Sequence, residues 1–418
     1  SGGILLACAL SACWTLGSFS PWLAWTGKEY RHMHLNSTPA GFGVNSTGTL
    51  LNKLHSTLPA LPILGVNASA ARHQAQHVQL SPRLETLSGA EVVWQAPSGT
   101  VRAVLFVAHG CSHAATDWWP AATGCSSCIG LPEEVNITRH ALHRQYAVVA
   151  ISSADRQGQK CWSASSPIMG AGNSTDTQQV VEVLTTLIAR QSWNGLPIYA
   201  LGASSGGAFV AVLAMGNFGP KLQLAGVCSQ IMGVPNQLLQ KYLAATKPQA
   251  ATKPGAIVGT DAQLPLYPPI IFVHMPRDES TAAHVAANML TLTQAGVAVK
   301  EIRVGPRHLT PGLLHEAVGA EISHNQSTAI WAAFRAGGLV DEQGQLIQDP
   351  RGADWQSMIV TGKVPGVGQM RLTPDESPVS EVLNVLWAGH ELVSQTTTET
   401  LDFWEQAGKP LKRRSSRA

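Results

Sequence analysis

The stretch from residue 196 to residue 215 limits the possible folds of this chain more than any other. A short apolar run of strand length ends at Gly202, and a helix-like run begins at Ala208. Between them, residues 202–206 read Gly-Ala-Ser-Ser-Gly. A serine on a sharp turn from a strand into a helix has close neighbours on both sides, where only residues without a Cβ fit. The pattern therefore predicts a strand–turn–helix unit with Ser204 at its apex.

Two other interpretations of the same residues stay open. Small residues reach this spacing by chance, and the segment could be a turn that only packs a helix on a sheet. Ser205 could also be the reactive hydroxyl, but Ala203 stands two residues before it in place of a glycine. We therefore expect Ser204 to be the reactive residue.

The segments around this unit alternate between strand-like and helix-like runs. The strand-like runs lie at 90–96, 101–108, 146–152, 222–230, 268–275 and 297–304. The helix-like runs lie at 132–145, 176–190 and 280–295. This alternation indicates an α/β fold with a mainly parallel sheet and helices on both faces. Residues 237–265, rich in Pro and Ala, are expected to form a small lid or loop.

The composition divides the chain into four parts. Residues 1–27 carry no charge and are apolar over a length that can cross a bilayer, which predicts a membrane anchor, with a cleaved signal peptide as the alternative. Residues 28–80 are expected to be a flexible stalk. The globular body should occupy 81–308 and 379–410. An insertion at 309–378, with two helices and a hairpin, should precede the final segment.

Glycosylation sequons and cysteines indicate a secretory compartment. Asn-x-Ser/Thr occurs at Asn36, Asn45, Asn67, Asn136, Asn173 and Asn325. In that compartment we expect one or two disulfides that involve Cys125, Cys128 or Cys161, with one thiol left over. The net charge of +2 gives no sign of a nucleic-acid partner.

Several stretches together resemble the α/β-hydrolase superfamily, and most of all a plant and green-algal branch of it. They are His-Gly-Cys at 109–111, Asp-Trp-Trp at 117–119, residues 202–207, Met-Pro-Arg-Asp at 275–278 and Gly-His-Glu at 389–391. The resemblance covers roughly residues 90–308 and 379–407. It implies the α/β-hydrolase fold and hydrolase activity, but no substrate.

The chemistry of a reactive serine requires two partners. An alcohol is a poor nucleophile at neutral pH, so a histidine must take its proton, and a carboxylate must hold that histidine. In this superfamily the order along the chain is serine, acid, histidine. Asp278 follows a predicted strand and is the expected acid, with Glu279 as the alternative. An Asp at this position could also be only a helix cap.

Two histidines compete for the role of the base. His308 lies just after the predicted strand at 297–304, and His390 lies after the insertion. We choose His390, because it precedes a predicted amphipathic helix and because the resemblance at 389–391 supports it.

Backbone N–H groups should stabilise the negative charge that develops on the substrate oxygen. The expected donors are Ser205, which follows the nucleophile, and Cys111, in the loop after the strand at 101–108. His109 and His113 are four residues apart, but they lie in a loop, so we expect no metal site. Trp118 and Trp119 could line a substrate pocket or could simply pack.

These inferences predict a serine hydrolase, anchored in a membrane by its N-terminal segment or secreted, that acts on a small-molecule carboxylic ester. Acylation of Ser204 and hydrolysis by water would follow, with no cofactor. A peptidase or a thioesterase would use the same chemistry. A catalytically silent module that binds a ligand is the alternative from another class.

Overall fold

The computed structural model of the chain describes residues 77–164, 174–219, 222–246 and 266–408. The predicted anchor at 1–27 lies outside these residues, as does nearly all of the predicted stalk. Within the described ranges, no helix is both long and apolar enough to cross a bilayer.

The described part of the chain forms one eight-stranded sheet. Its strands are β1 (Arg83–Leu87), β2 (Ala90–Gln95), β3 (Ala103–Ala108), β4 (Tyr146–Ile151), β5 (Ile198–Ala203), β6 (Leu224–Gln230), β7 (Ile270–His274) and β8 (Val299–Arg303). Their spatial order is β1-β2-β4-β3-β5-β6-β7-β8. Strand β2 pairs antiparallel with β1 and β4, and all other pairs are parallel. The predicted, mainly parallel sheet is confirmed, and β1 is an addition to the prediction.

Ten α-helices are described. They are α1 (Pro132–His143), α2 (Thr175–Arg190), α3 (Ser205–Leu213), α4 (Asn236–Thr246), α5 (Glu279–Gln294), α6 (Leu313–Val318), α7 (His324–Ala336), α8 (Trp355–Thr361), α9 (Pro378–Trp387) and α10 (Thr397–Ala407). Helix α4 occupies the start of the segment 237–265 that was expected as a lid or loop, and residues 247–265 lie outside the described ranges. Helix α10 begins at Thr397, so the final helix does not directly follow His390 as predicted.

Apolar side chains cover both faces of the sheet. In β3, Val104 and Phe106 point into a cluster with residues of α2 to α5, whereas Leu105 and Val107 point into a cluster with residues of α1 and α10. Alternate residues of a strand face opposite sides, so an uninterrupted apolar strand belongs between two helical layers. The strand order, the two layers and the tight β5–α3 turn make this an α/β-hydrolase fold.

A third apolar cluster organises the region between β8 and His390. It combines residues of α6, α7 and α8 with one side of α9. An antiparallel bridge between Val340 and Leu346 lies within the predicted hairpin. Because α9 ends only a few residues before His390, the packing of this cluster helps to place that histidine.

The two tryptophans of the Asp-Trp-Trp stretch are packing residues. Trp118 and Trp119 are each 0% exposed and belong to the cluster on the α1 and α10 face. Trp119 Nε1 also donates a hydrogen bond to Gln95 Oε1 at 3.0 Å. The sequence left open whether these tryptophans line a substrate pocket or pack in the core. The structure shows that they pack, so the interpretation as pocket lining is wrong.

Candidate active site

Ser204 lies at the apex of the turn between β5 and α3, with φ of 53° and ψ of −118°. The flanking glycines are needed for steric reasons. A Cβ on Gly202 would lie 2.2 Å from the Gly206 carbonyl oxygen, and a Cβ on Gly206 would lie 2.5 Å from the Ala108 carbonyl oxygen. The strained backbone thus presents the Ser204 side chain at the carboxyl end of the central strands.

The structure brings Ser204 together with the two residues chosen as its partners. His390 Nε2 lies 3.0 Å from Ser204 Oγ. On the other side of the ring, His390 Nδ1 lies 2.5 Å from Asp278 Oδ2. An ionised carboxylate accepts a hydrogen bond from Nδ1–H and holds the proton on that nitrogen, which leaves Nε2 free to accept the hydroxyl proton of Ser204.

Asp278 is both a helix cap and a partner of the histidine. Its carboxylate accepts hydrogen bonds from the Thr281 backbone N–H at 3.0 Å and from Thr281 Oγ1 at 2.6 Å, at the start of α5. Burial alone would raise the pKa of Asp278, but the hydrogen bond and charge of His390, together with the Thr281 bonds, hold it below its ordinary value. Asp278 is therefore ionised at neutral pH.

The competing candidates lie elsewhere. His308 is exposed, and its Nδ1 lies 2.9 Å from the Gln343 carbonyl oxygen in the hairpin. Glu279 is exposed as the first residue of α5. The hydroxyl of Ser205 accepts a hydrogen bond from the Trp162 backbone N–H at 3.3 Å. None of these three side chains takes part in the Ser204–His390–Asp278 chain.

Gln230 links the serine turn to the histidine loop, and the sequence analysis missed it. Its carbonyl oxygen accepts a hydrogen bond from the Ser204 N–H at 3.0 Å. Its side-chain amide donates to the Val393 carbonyl oxygen and accepts from the Val393 N–H, both at 3.0 Å. The residue is fully buried at the carboxyl end of β6. A polar residue ending a buried strand is the signal that could have pointed to it.

Arginine side chains hold the histidine loop from outside. Arg351 donates to the His390 carbonyl oxygen and to Glu391 Oε2, the latter at 3.0 Å. Arg277 donates to the Trp387 carbonyl oxygen at 2.7 Å, and its guanidinium lies 3.8 Å from the centre of the Trp387 ring. Arg277 stood out in the sequence only as part of Met-Pro-Arg-Asp at 275–278, and no pattern marked Arg351, because the partners of both side chains are distant in the chain.

The loop after β3 lies beside Ser204. His109 is neutral, because burial lowers its pKa to about 3. Its Nε2 accepts a hydrogen bond from the Ser153 N–H at 3.0 Å, so Nδ1 carries the proton and donates to the Gly110 carbonyl oxygen at 2.6 Å. A Cβ on Gly110 would lie 3.8 Å from Ser204 Cβ. A buried histidine thus fixes this loop against the serine.

The two predicted oxyanion donors border this contact. Cys111 follows Gly110, and Ser205 is the first residue of α3. Among the described residues, neither of their backbone N–H groups donates to another protein group. Both are therefore available to a substrate oxygen at Ser204.

Two disulfides are present in the described part of the chain. Cys125 pairs with Cys128, and Cys111 pairs with Cys161. Cys228 is buried as a free thiol. The predicted number, the involvement of Cys125, Cys128 and Cys161, and the leftover thiol are confirmed. The pairing of Cys111 was not foreseen, because the sequence analysis assigned that residue only to the oxyanion loop.

The half-buried His113 forms an ion pair with the buried Asp117. Its Nδ1 lies 2.9 Å from Asp117 Oδ2. Burial alone would lower the pKa of His113, but the Asp117 hydrogen bond and the negative charges of Asp117, Glu134 and Glu391 raise it to about 9. In the described ranges, no group of three His, Cys, Asp or Glu side chains is arranged to hold a metal ion.

No protein-family model matches the sequence, and no curated protein matches it. Similar solved structures include a lipase in its open form, 16% identical over 54% of this chain and 90% of that chain, with a TM-score of 0.32. A thermostable esterase from Pseudomonas putida ECU1011 is 15% identical over 57% of this chain and 77% of that chain, with a TM-score of 0.34. An acetyl xylan esterase from Aspergillus awamori is 13% identical over 50% and 80%, with a TM-score of 0.34. The assignment of the fold therefore rests on the strand order and the serine turn, not on these likenesses.

The pKa of His113 makes a prediction about stability. A histidine whose pKa rises from 6.5 to about 9 on folding stabilises the protein fully below pH 6.5, and this contribution is lost as the pH rises through 9. Asp117→Asn should lower the free energy of unfolding by about 2 kcal/mol at low pH, because it breaks a charge-assisted hydrogen bond. Urea unfolding should be measured at about pH 6.0 and at about pH 9.5, which lie below and above the pKa of His113. The loss of unfolding free energy in Asp117→Asn should be smaller at the higher pH. An equal loss at both would contradict the assignment.

Proposed function

We propose that this protein is a serine hydrolase that cleaves small-molecule carboxylic esters through an acyl-enzyme. The observation that carries the proposal is the unbroken chain of hydrogen bonds from Ser204 through His390 to Asp278, on a serine whose φ is 53°. A strained serine in contact with a histidine that a carboxylate orients is the arrangement that nucleophilic catalysis requires.

The first half of the reaction acylates Ser204. His390 Nε2 takes the hydroxyl proton as Ser204 Oγ attacks the ester carbonyl carbon. The carbonyl oxygen becomes negatively charged and is stabilised by the N–H groups of Cys111 and Ser205 and by the N-terminal end of α3. The ionised Asp278 stabilises the imidazolium that forms on His390.

The second half releases the products. His390 Nε2–H protonates the leaving alcohol as the bond between the carbonyl carbon and the alkoxy oxygen breaks. A water molecule then gives a proton to His390 and attacks the acyl carbon, and Ser204 leaves with its proton restored. The leaving alcohol of an ester needs only the one proton that His390 supplies. Ser204, His390 and Asp278 are therefore sufficient for ester hydrolysis.

The nucleophile is tested with a fluorophosphonate probe, which reacts with activated serines. Ser204→Ala should abolish labelling, because the attacking oxygen is lost, whereas Ser205→Ala should retain most of it, because Ser205 contributes a backbone N–H. Circular dichroism checks that both variants stay folded. Full labelling of the Ser204→Ala protein would transfer the role to another residue. A folded parent protein that takes up no probe would favour a silent binding module.

The base is tested by comparing two histidines. His390→Ala should lower the turnover of p-nitrophenyl butyrate by about four orders of magnitude, since the members of a triad act as a unit. His308→Ala should stay within about twofold of the parent, because its side chain is exposed and bonded to the hairpin. A His390→Ala enzyme of nearly normal turnover, at equal folded content, would refute the assignment.

We also propose that the catalytic body faces an oxidising, secretory compartment, which two disulfides and the sequons support. Asn325 is exposed on α7, whereas Asn136 is half-buried on α1 beside the fully buried Thr138. In a eukaryotic secretory host, endoglycosidase should lower the apparent mass, and Asn325→Gln should remove one glycan. Asn136→Gln serves as the matched control and should leave the mass unchanged. Complete absence of glycan would argue against this compartment.

A further inference from the structure

The loop that carries one oxyanion donor is joined to a second segment by a covalent bond. Cys111 forms a disulfide with Cys161, fifty residues later in the chain. Both cysteines are half-buried, so solvent reaches this part of the molecule. The bond therefore lies near the surface and directly follows Gly110, whose Cα faces Ser204 closely enough that an added Cβ would lie 3.8 Å from Ser204 Cβ.

The second segment is in turn attached to the turn that carries the other donor. The Trp162 backbone N–H donates to Ser205 Oγ at 3.3 Å. The Trp162 ring stacks on Phe209 of α3, with the ring centres 4.5 Å apart. A continuous path thus runs from Cys111 through Cys161 and Trp162 to Ser205, and it joins the two residues proposed as oxyanion donors.

Other bonds between the two segments act on neighbours of Cys111. Ser112 donates its backbone N–H to the Gln159 carbonyl oxygen at 2.8 Å and accepts from Lys160 Nζ at 3.4 Å. Arg156 donates to the His113 carbonyl oxygen at 3.2 Å. In the described ranges, the disulfide is the one link between these segments that acts on Cys111 itself. Loss of the disulfide should therefore loosen the donor without unfolding the loop.

We propose that the Cys111–Cys161 disulfide sets the distance between the two oxyanion donors, so that turnover depends on the redox state of this bond. Cys161 is then a positioning residue that acts through Cys111. The inference rests on the proposed function, and it makes the oxidised protein the fully active form. An oxidising compartment would supply that form.

The redox step is reversible. A water-soluble phosphine breaks the Sγ–Sγ bond and supplies two electrons. The sulfurs gain two protons to become thiols, and the phosphine becomes its oxide with an oxygen atom from water. Oxidised glutathione reverses the step by thiol–disulfide exchange, which forms the protein disulfide and releases two molecules of reduced glutathione.

The expected kinetic effect follows from when the donors act. The oxyanion exists only after attack on the carbonyl, so a misplaced donor weakens the transition state and leaves substrate binding nearly unchanged. Because the neighbouring hydrogen bonds remain, we expect kcat to fall by about 10- to 100-fold, with KM within about twofold of the parent.

The experiment measures kcat and KM for p-nitrophenyl butyrate with the full chain, per active site titrated with the fluorophosphonate probe. Phosphine should lower the kcat of the parent, and oxidised glutathione should restore it. Cys161→Ser should show the lowered kcat from the start and no further response to phosphine. The matched control is the double variant Cys125→Ser with Cys128→Ser, which lacks the other disulfide and should keep both the parent kcat and the parent response.

The outcomes separate this inference from the proposed function. A parent whose kcat is unchanged after mass spectrometry shows the bond reduced would overturn the inference, as would a Cys161→Ser enzyme within about twofold of the parent kcat. In either case, loss of activity in Ser204→Ala would leave the proposed function in place. If Ser204→Ala keeps its activity, the mechanism proposed through Ser204 is wrong, and a parent that neither takes up the probe nor hydrolyses the ester refutes the proposed function itself. Should Cys161→Ser fail to fold, reduction of the folded parent, with its thermal unfolding followed in parallel, decides the question.

Discussion

The backbone of Ser204 is the constraint on which the rest of the site depends. A non-glycine residue in this strained conformation costs about 1–3 kcal/mol and persists only where its surroundings hold it. Here Gly202 is the next-to-last residue of β5, α3 starts directly after Ser204, and the Gln230 carbonyl oxygen accepts a hydrogen bond from the Ser204 N–H. The central parallel strands are buried on both faces, and this provides the rigid frame that the turn requires.

His390 reaches Ser204 through tertiary contacts that arise far along the chain. The third apolar cluster places α9, and the Gln230 side chain binds the backbone at Val393, just after His390. Where α1 packs against α9, burial and neighbouring carboxylates raise the pKa of Glu381, and burial raises that of Glu134 to about 7. The Glu133 backbone N–H donates a hydrogen bond to Glu381 Oε2 at 3.2 Å, and this bond connects α1 to α9.

The two histidines of the loop beside Ser204, His109 and His113, differ in charge because their environments differ. His109 is buried without an acid partner and stays neutral, so it can fix the Gly110 carbonyl through one ring nitrogen and accept from Ser153 through the other. His113 is paired with Asp117 and is protonated at neutral pH. Two histidines only four residues apart therefore differ in charge, and the contacts of both hold the loop that contains Cys111.

The sequence by itself determined the features that depend on neighbours along the chain. The glycine spacing around Ser204, the apolar runs of the strands and the position of Asp278 after β7 reflect local sterics and burial, which residue types report directly. The tertiary structure alone placed His390, and not His308, against Ser204, paired Cys111 with Cys161, and brought Gln230 to Val393. It also formed α4 at the start of the segment expected as a lid or loop, and it buried Trp118 and Trp119. These features join residues tens to hundreds of positions apart, and their energies come from packing and hydrogen bonds that exist only after the sheet and α9 have assembled.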